Sequence, residues 1–496
     1  MSRKKKSHSS QETKSDVNET LLERYRALLS DVEFEKLQAE TIQPLQTTIR
    51  INLLKHQPRE MAELLQLLYE WQLESIAFCP SGFRVESSTV TPSQTIEHRM
   101  GDFYIQEAAS MLPAELFDFS KTPQPLILDM AASPGGKTIH LADLNQDSGL
   151  IIANDASRAR LPALQVVLHK WGIINQAVTC LPGEQFAQAT REWFDYVLLD
   201  APCSMEGLRT SASHKMRTIS PNERKRLAMR QQKLLASALA AVKTGGEVVY
   251  STCTLAPEEN ESVLAEVIDE YPDTFQVDAL QQKLPVPAPG LEKFEETEYP
   301  VSMRNSFRLW PHLCHTAGFF AARLTKLKDI ALPHSSKPQL VKNRIPHLLP
   351  EKETQTVSTM VMDQYGFDLN LLMEKQNLAV GQDKNELSLI PMRYLNEFSA
   401  LPCTSIGLRL GERIEDEFIP AHEFAARFGG LFQSGKIQID EEQLKPWLRG
   451  EDLRPYSVPT LPKSRVVVVT DGIGRNLGRG KILSHQLKNL LPNRLF

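Results

Sequence analysis

Two hydrophobic rhythms alternate through the middle of this chain. Leu126-Ile-Leu128 is a short unbroken apolar run that stops at Asp129. Similar runs follow at Ile151-Ile-Ala-Asn-Asp155, Ala177-Val-Thr179, Asp195-Tyr-Val-Leu-Leu-Asp200 and Glu247-Val-Val-Tyr-Ser251. Apolar runs of this length without polar alternation predict strands buried on both faces. Between them the spacing becomes helical. Ile139-His-Leu-Ala142 predicts the first turn of one helix, and the stretch from about Arg158 to Trp171 a second. A third opens at Ser220-Pro-Asn-Glu223, a capping box with proline at the first helical position. Its apolar face is Leu227, Leu234, Leu235, Ala238 and Val242, and Thr244-Gly-Gly246 stops it. Strands alternating with helices predict an α/β fold with a mainly parallel, doubly wound sheet.

The flanks differ. Thr47 to Leu53 alternates like a half-exposed strand, and Glu60 to Trp71 carries leucines at helical spacing. Together they predict a small α+β lobe ahead of the sheet. Gln106 to Leu112 predicts a helix leading into it, and Phe307 to Trp310 with Gly318 to Leu324 predict closing strands. The expected organisation is a disordered polar tail (1–18), an N-terminal lobe (19–100), the main domain (101–328), a Pro-, Ser- and Lys-rich linker (329–359) and a separate C-terminal α+β module (360–496). There is no internal repeat.

Composition narrows the classes. With 496 residues, 41% hydrophobic and 24% charged, the chain can bury two or three ordinary cores. A net charge of −5 excludes a molecule-wide basic field, so nucleic acid would have to be met by local patches. Arg3-Lys-Lys-Lys6 reads as part of a solvated tail. Arg475, Arg479, Lys481, Lys488 and Arg494 are more pointed, because Asp471 is the only acid from Lys463 onward. No apolar run is long enough to cross a bilayer and no signal peptide is seen, so no membrane partner is expected. The six cysteines form no CxxC pair. Neither a zinc site nor a disulfide framework is indicated, and a reducing cytoplasm is expected.

The loop Met130-Ala-Ala-Ser-Pro-Gly-Gly-Lys-Thr138, between the first strand and its helix, is a ligand cradle. Gly136-Lys-Thr138 has the ending of a phosphate-binding loop, but Ala131 stands where its first glycine belongs, and Pro134 removes a backbone donor. A dinucleotide loop would need three spaced glycines. Asp129, Asp155 and Asp200 all end strands at one sheet edge. Such acids repel polyphosphate and suit a cationic ligand with a ribose, which points to S-adenosyl-L-methionine. Two cysteines share that edge: Asp200-Ala-Pro-Cys203 follows the fourth strand and Ser251-Thr-Cys253 the fifth. A thiolate that adds to carbon six of a cytosine turns carbon five into an enamine-like nucleophile, able to take a sulfonium methyl. The base must be out of its stack to be reached.

These blocks resemble the NOP/Sun family of RNA (cytosine-5)-methyltransferases: Asp129 to Thr138, Asp200-Ala-Pro-Cys203, Ser251-Thr-Cys253-Thr-Leu255 and Pro257-Glu-Glu-Asn-Glu261, over roughly 20–325. The C-terminal piece, with Tyr394-Leu395 and Gly478-Arg-Gly-Lys481, is similar to the bacterial RsmF-like branch. The resemblance implies a Rossmann-like methyltransferase sheet and a PUA-like RNA-binding module toward the C-terminus. It implies Cys253 as nucleophile, Cys203 in product release, and Asp200 and Lys137 against the target cytosine. It implies a cofactor site of Ala131, Ala132, Ser133, Pro134, Gly135, Gly136, Lys137, Asp155, Arg160, Glu184 and Asp200, with no metal. Met205 stands where the family has a small residue, and Glu184 where it has aspartate. The expected partner is RNA, with small-subunit rRNA or the subunit itself ahead of tRNA, acted on by a monomer. A DNA methyltransferase, a non-catalytic ribosome assembly factor of the same fold and a P-loop ATPase stay open as alternatives.

Overall fold

The computed structural model describes residues 22–86, 90–209, 219–332, 345–456 and 462–492. The expected disordered tail at 1–18, Arg494 and residues 333–344 of the expected linker lie outside them. Four antiparallel strands form the N-terminal lobe: Thr47–Ile51 (β1), Gln72–Ile76 (β2), Cys79–Glu86 (β3) and Phe103–Ile105 (β4), in the order β2-β3-β1-β4. Helix Pro58–Tyr69 (α1) starts on proline and buries Met61, Ala62 and Leu65 against Ile49, Ile51 and Phe103. The helix expected at Gln106 to Leu112 is instead a short 3-10 turn, Ala108–Met111, running into the four-residue helix Leu112–Glu115. Gln106 stays extended because its N–H bonds Thr48 on β1 (3.1 Å), and Glu107 caps the turn by accepting from Ser110 N (3.2 Å).

The main sheet has nine strands. Leu126–Asp129 (β5), Leu150–Asn154 (β6), Gln176–Thr179 (β7), Phe194–Asp200 (β8) and Val242–Thr252 (β9) are parallel neighbours in the order β7-β6-β5-β8-β9. Order reverses between β5 and β8, and such a reversal opens a crevice at the carboxyl ends of the two strands. Phe275–Val277 (β10), Phe307–Leu309 (β11) and Phe319–Lys326 (β12) close one edge: β12 runs antiparallel to β9, β10 lies outside it, and β11 pairs its first residues. Helices Gly136–Leu144 (α2), Leu161–Trp171 (α3) and Pro221–Ala241 (α4) cover the faces. Leu126, Leu128, Val197 and Leu199 pack with Leu234, Leu235 and Leu239 of α4, while Ile127, Ile151 and Leu198 pack with Ile139, Leu164 and Leu168 of α2 and α3. Each such side chain contributes about 1.5–3 kcal/mol by leaving water. The Ser220 hydroxyl accepts from Glu223 N (3.2 Å) at the start of α4. That helix ends at Ala241, so Val242 and Thr244 to Gly246 belong to β9 rather than to the helix and its stop.

Two boundary expectations are corrected. Residues 351–359, read as linker, are the first turns of helix Glu351–Tyr365. Its polar solvent face dominates the composition, but Val357, Val361 and Tyr365 are buried. The C-terminal part is not separate either. Strand Cys403–Ile406 (β13) adds antiparallel to β7 as the ninth strand, and Tyr394, Phe398 and Leu401 join the main core. The last sheet, Lys436–Gln438, Val466–Thr470, Asn476–Leu483 and Gln486–Asn489, shares a core with Ile96 and Met100 ahead of β4.

The C-terminal basic cluster is also divided by the fold. Arg475 pairs with Asp471 (2.7 Å) and Glu97 (2.9 Å). Arg479 is half-buried and donates to the Pro420 carbonyl (2.6 Å). Arg475 is thus held by two carboxylates, and Arg479 by one carbonyl. Lys481 and Lys488 stand directly opposite each other on the final hairpin.

Candidate active site

The crevice between β5 and β8 gathers most of the predicted residues. The loop leaving β5 is tied to both neighbouring strands, because Met130 N donates to Leu198 O (2.9 Å) and Ala132 N to Asn154 O (2.7 Å). Asn154 is the hub of this edge, which sequence reasoning missed. Its amide donates to the Met130 (3.0 Å) and Leu181 (2.9 Å) carbonyls, while its oxygen accepts from Thr179 (2.8 Å) and Leu181 N (2.9 Å). The only local signal was a buried amide next to a strand-end acid. Gly135 has φ +115, and a β-carbon there would also meet Leu164 and Val167 at 3.1 Å. At Gly136 a β-carbon would lie 3.0 Å from the Tyr104 ring.

Asp155 follows β6 and is buried. It accepts from Ser133 N (3.3 Å) and Ser157 N (2.8 Å) and lies 3.4 Å from the Arg160 guanidinium. Arg160 also donates to the Ser133 carbonyl, so this pair holds the loop from both sides. Ala131 is half-buried, Ala132 and Ser133 are buried, and Pro134 is exposed at the loop's crest. Glu184 does not join this group: it binds Arg230 of α4 at 2.6 Å. Gly183 beside it packs on Met130, so the turn borders the edge while the carboxylate is held by the helix.

Lys137, on the first turn of α2, reaches Asp200 at the end of β8 (2.7 Å), and Ser251 donates to the other oxygen of Asp200 (2.8 Å). Burial disfavours the Lys137 ammonium, but the Asp200 carboxylate, aided by Cys253 and Asp129, outweighs it and raises the pKa. Lys137 Nζ also sits 5.5 Å from the centre of the Phe319 ring. Cys203 Sγ and Cys253 Sγ are 3.2 Å apart, both as free thiols. Hydrogen bonding to Cys253 and burial push the Cys203 thiol well above its ordinary value. Cys203 is therefore a neutral thiol near pH 7, while Cys253 is the exposed member. Burial pushes the Asp129 carboxyl up to about 7, against the Thr138 hydroxyl donating at 2.6 Å. Met205 has φ +61, a backbone conformation that residues with a β-carbon rarely adopt, and its side chain is exposed.

Cys79, Glu115 and His140 bring three ligand-type atoms within 4.8 Å of one another. Cysteine spacing gave no sign of this group. His140 Nε2 is 3.0 Å from Glu115, burial pushes its pKa down to about 4, and burial pushes the Cys79 thiol up to about 12. His140 Nε2 is also 3.8 Å from Cys79 Sγ, so the three side chains form one hydrogen-bonded group in the core.

The cradle fits S-adenosylmethionine. Two glycines let the loop pack closely on α3 and Tyr104, a buried carboxylate follows β6, and two more acids line the same edge. Residues 119–325 match the family described as 16S rRNA methyltransferase RsmB/F, and residues 17–108 match the N-terminal domain of 16S rRNA methyltransferase RsmF. The chain is 31% identical to ribosomal RNA small subunit methyltransferase F of Erwinia tasmaniensis, over 96% of this chain and 95% of that one.

The chain belongs to the RsmB/F family of methyltransferases. It is likewise 32% identical to the Escherichia coli (strain SE11) small subunit methyltransferase F, over 95% of this chain and 94% of that one. A solved methyltransferase homologue from Pyrococcus horikoshii superposes with a TM-score of 0.53 at 29% identity, covering 62% of this chain and 99% of that one. As an RsmB/F enzyme it is an S-adenosylmethionine-dependent RNA (cytosine-5)-methyltransferase. The Rossmann-like sheet, the lobe before it and the segment after it follow the expected fold class. Among the described residues no helix is long and apolar enough to cross a membrane.

Proposed function

We propose that this enzyme methylates carbon five of a cytosine in small-subunit rRNA through an adduct on Cys253, with Cys203 serving product release. The carrying observation is the 3.2 Å approach of the two sulfurs beside the Lys137–Asp200 pair, at the ends of adjacent strands β8 and β9. Cys253 Sγ adds to carbon six of the flipped base, and Asp200 accepts from the exocyclic amine. Lys137 keeps its ammonium against Asp200 (2.7 Å), which places a positive charge beside the two thiols. When bound in the cradle, S-adenosylmethionine supplies the methyl group, with Ala131 to Gly136, Asp155 and Arg160 shaping its seat and Glu184 at the rim. After a base takes the proton from carbon five, the carbon–sulfur bond breaks. The neutral Cys203 thiol then donates a hydrogen bond to the leaving sulfur.

The names of the relatives support rRNA of the small subunit over tRNA. In this reading the enzyme is a cytoplasmic monomer acting on the RNA or the assembled subunit. The segment toward the C-terminus, PUA-like in this reading, carries RNA contacts through Lys481 and Lys488. A denaturing gel with labelled RNA tests the thiols. Cys253→Ala should form no adduct, and Cys203→Ala should accumulate one that resists denaturation; the opposite result would exchange the two roles. Cytosine-methylation profiling of cells lacking the protein tests the substrate, and loss of signal from tRNA alone would overturn the rRNA assignment.

A further inference from the structure

The motif Pro257-Glu-Glu-Asn260 touches neither sulfur, yet its last two side chains hold the backbone around both. Asn260 sits between the 3-10 turn Pro257–Glu259 and helix Glu261–Glu270. Its Oδ1 accepts from the Thr252 hydroxyl (2.6 Å) and its Nδ2 donates to the Thr254 carbonyl (2.9 Å). Those are the residues on either side of Cys253. Glu259 does the same for the other thiol. Its Oε2 accepts from Ser204 N (3.0 Å) and from Gln231 Nε2 (2.9 Å), and Gln231 Nε2 also donates to the Pro202 carbonyl (2.9 Å). Ser204 and Pro202 flank Cys203. The loops are joined once more between Ser204 Oγ and Thr254 Oγ1 (3.0 Å), and Tyr250 anchors the clamp by donating to the Glu259 carbonyl (2.6 Å).

Glu259, Asn260, Gln231, Thr252 and Thr254 are all fully buried. The two arms lie on consecutive residues of one rigid turn, so they set the position of one sulfur relative to the other. Glu259 Oε1 and Gln231 Oε1 are buried without a hydrogen-bond partner among the described residues, so the clamp costs stability that a fold needing only to close its core would not spend.

We propose that Asn260 and Glu259 are positioning residues that divide the reaction between them: Asn260 sets Cys253 for addition to the base, and Glu259, through Gln231, sets Cys203 for release. The inference rests on the assignment of the two thiols given above. Misplacing a reacting group by about 1 Å costs on the order of a hundredfold, so each arm should leave its mark on its own step.

The test uses the full chain with labelled RNA and S-adenosylmethionine, following adduct formation and adduct decay separately. S-adenosylhomocysteine affinity and thermal midpoint are measured for each variant. Asn260→Ala should slow adduct formation by about 10- to 100-fold without trapping. Asn260→Asp, which keeps the acceptor for Thr252 but turns an oxygen toward the Thr254 carbonyl, should not rescue it. Glu259→Ala should form adduct at the wild-type rate and then accumulate it, as Cys203→Ala does, and Glu259→Gln, which keeps the acceptor, should restore release. Gln231→Leu loses the arm to Pro202 and the donor to Glu259, keeps the Glu259–Ser204 bond, and should accumulate adduct even if Glu259→Ala does not fold. If Cys203→Ala traps an adduct while Glu259→Ala and Gln231→Leu release normally, the clamp is refuted and the thiol assignment stands. If Cys203→Ala itself traps nothing, the thiol assignment fails first. Equal loss of addition, release and S-adenosylhomocysteine affinity in every variant would make the motif merely structural and overturn the proposal.

Discussion

Replacing Asp129 by asparagine should stabilise the protein above neutral pH and leave it unchanged in acid. Asp129 ends β5, is 1% exposed, and has one oxygen bound by Thr138 while the other has no side-chain hydrogen-bond partner among the described residues. Burial raises its pKa from 3.8 to about 7. An unfolded chain ionises this carboxyl at its ordinary value, whereas the folded site holds the proton until near neutrality. Between those two values the folded state binds one more proton, so stability falls as pH rises, and it levels off above about pH 7. Roughly three pH units at about 1.4 kcal/mol each give a loss on the order of 4 kcal/mol. Asparagine cannot ionise and still accepts from Thr138. The two proteins should therefore match near about pH 4 and diverge to about 4 kcal/mol in favour of Asp129→Asn by about pH 8. Urea unfolding followed by tryptophan fluorescence at several pH values gives the difference directly. A difference independent of pH, or one growing in favour of the wild type as pH rises, would show that Asp129 is ionised in the folded protein throughout.

Arg50→Met should cost about 3–5 kcal/mol, because it leaves Asp143 buried beside Trp171 without its cation; urea unfolding should show Arg50→Met with Asp143→Asn less damaged than Arg50→Met alone. Asp155→Ala should weaken S-adenosylmethionine binding by about 1–3 kcal/mol, or roughly 5- to 150-fold, through loss of the carboxylate that holds Ser133 N and Arg160; calorimetry showing unchanged affinity would remove Asp155 from the cofactor site. Lys481→Gln with Lys488→Gln should lower RNA affinity and flatten its dependence on salt by about one to two units of slope, whereas changing the internally paired Arg475 should leave the slope alone.

Periodicity and turn chemistry determined most of the main sheet. Unbroken apolar runs that stop at Asp129, Asp155 and Asp200 are legible because a strand covered on both faces has no polar side, and because a chain leaving such a strand must turn where the ligand sits. The cradle loop, Lys137, Asp200, Cys203 and Cys253 could be placed from strand ends alone, since parallel strands of one sheet bring those ends to one edge. Other features depend on partners far away in the chain. Helix Glu351–Tyr365 looked like linker because most of its residues face solvent and its short apolar stripe needs a distant surface to cover it. Strand β13 joins the main sheet across more than 200 residues, a pairing set by the open edge of β7 rather than by any local pattern. Arg475 and Arg479 read as free basic residues until Glu97 of the N-terminal lobe paired with Arg475 and the Pro420 carbonyl accepted from Arg479. The hold of Asn154, Gln231, Glu259 and Asn260 on the site is invisible in sequence for the same reason: a buried amide or carboxylate declares its role only through the backbone groups it bridges, and those are chosen by packing.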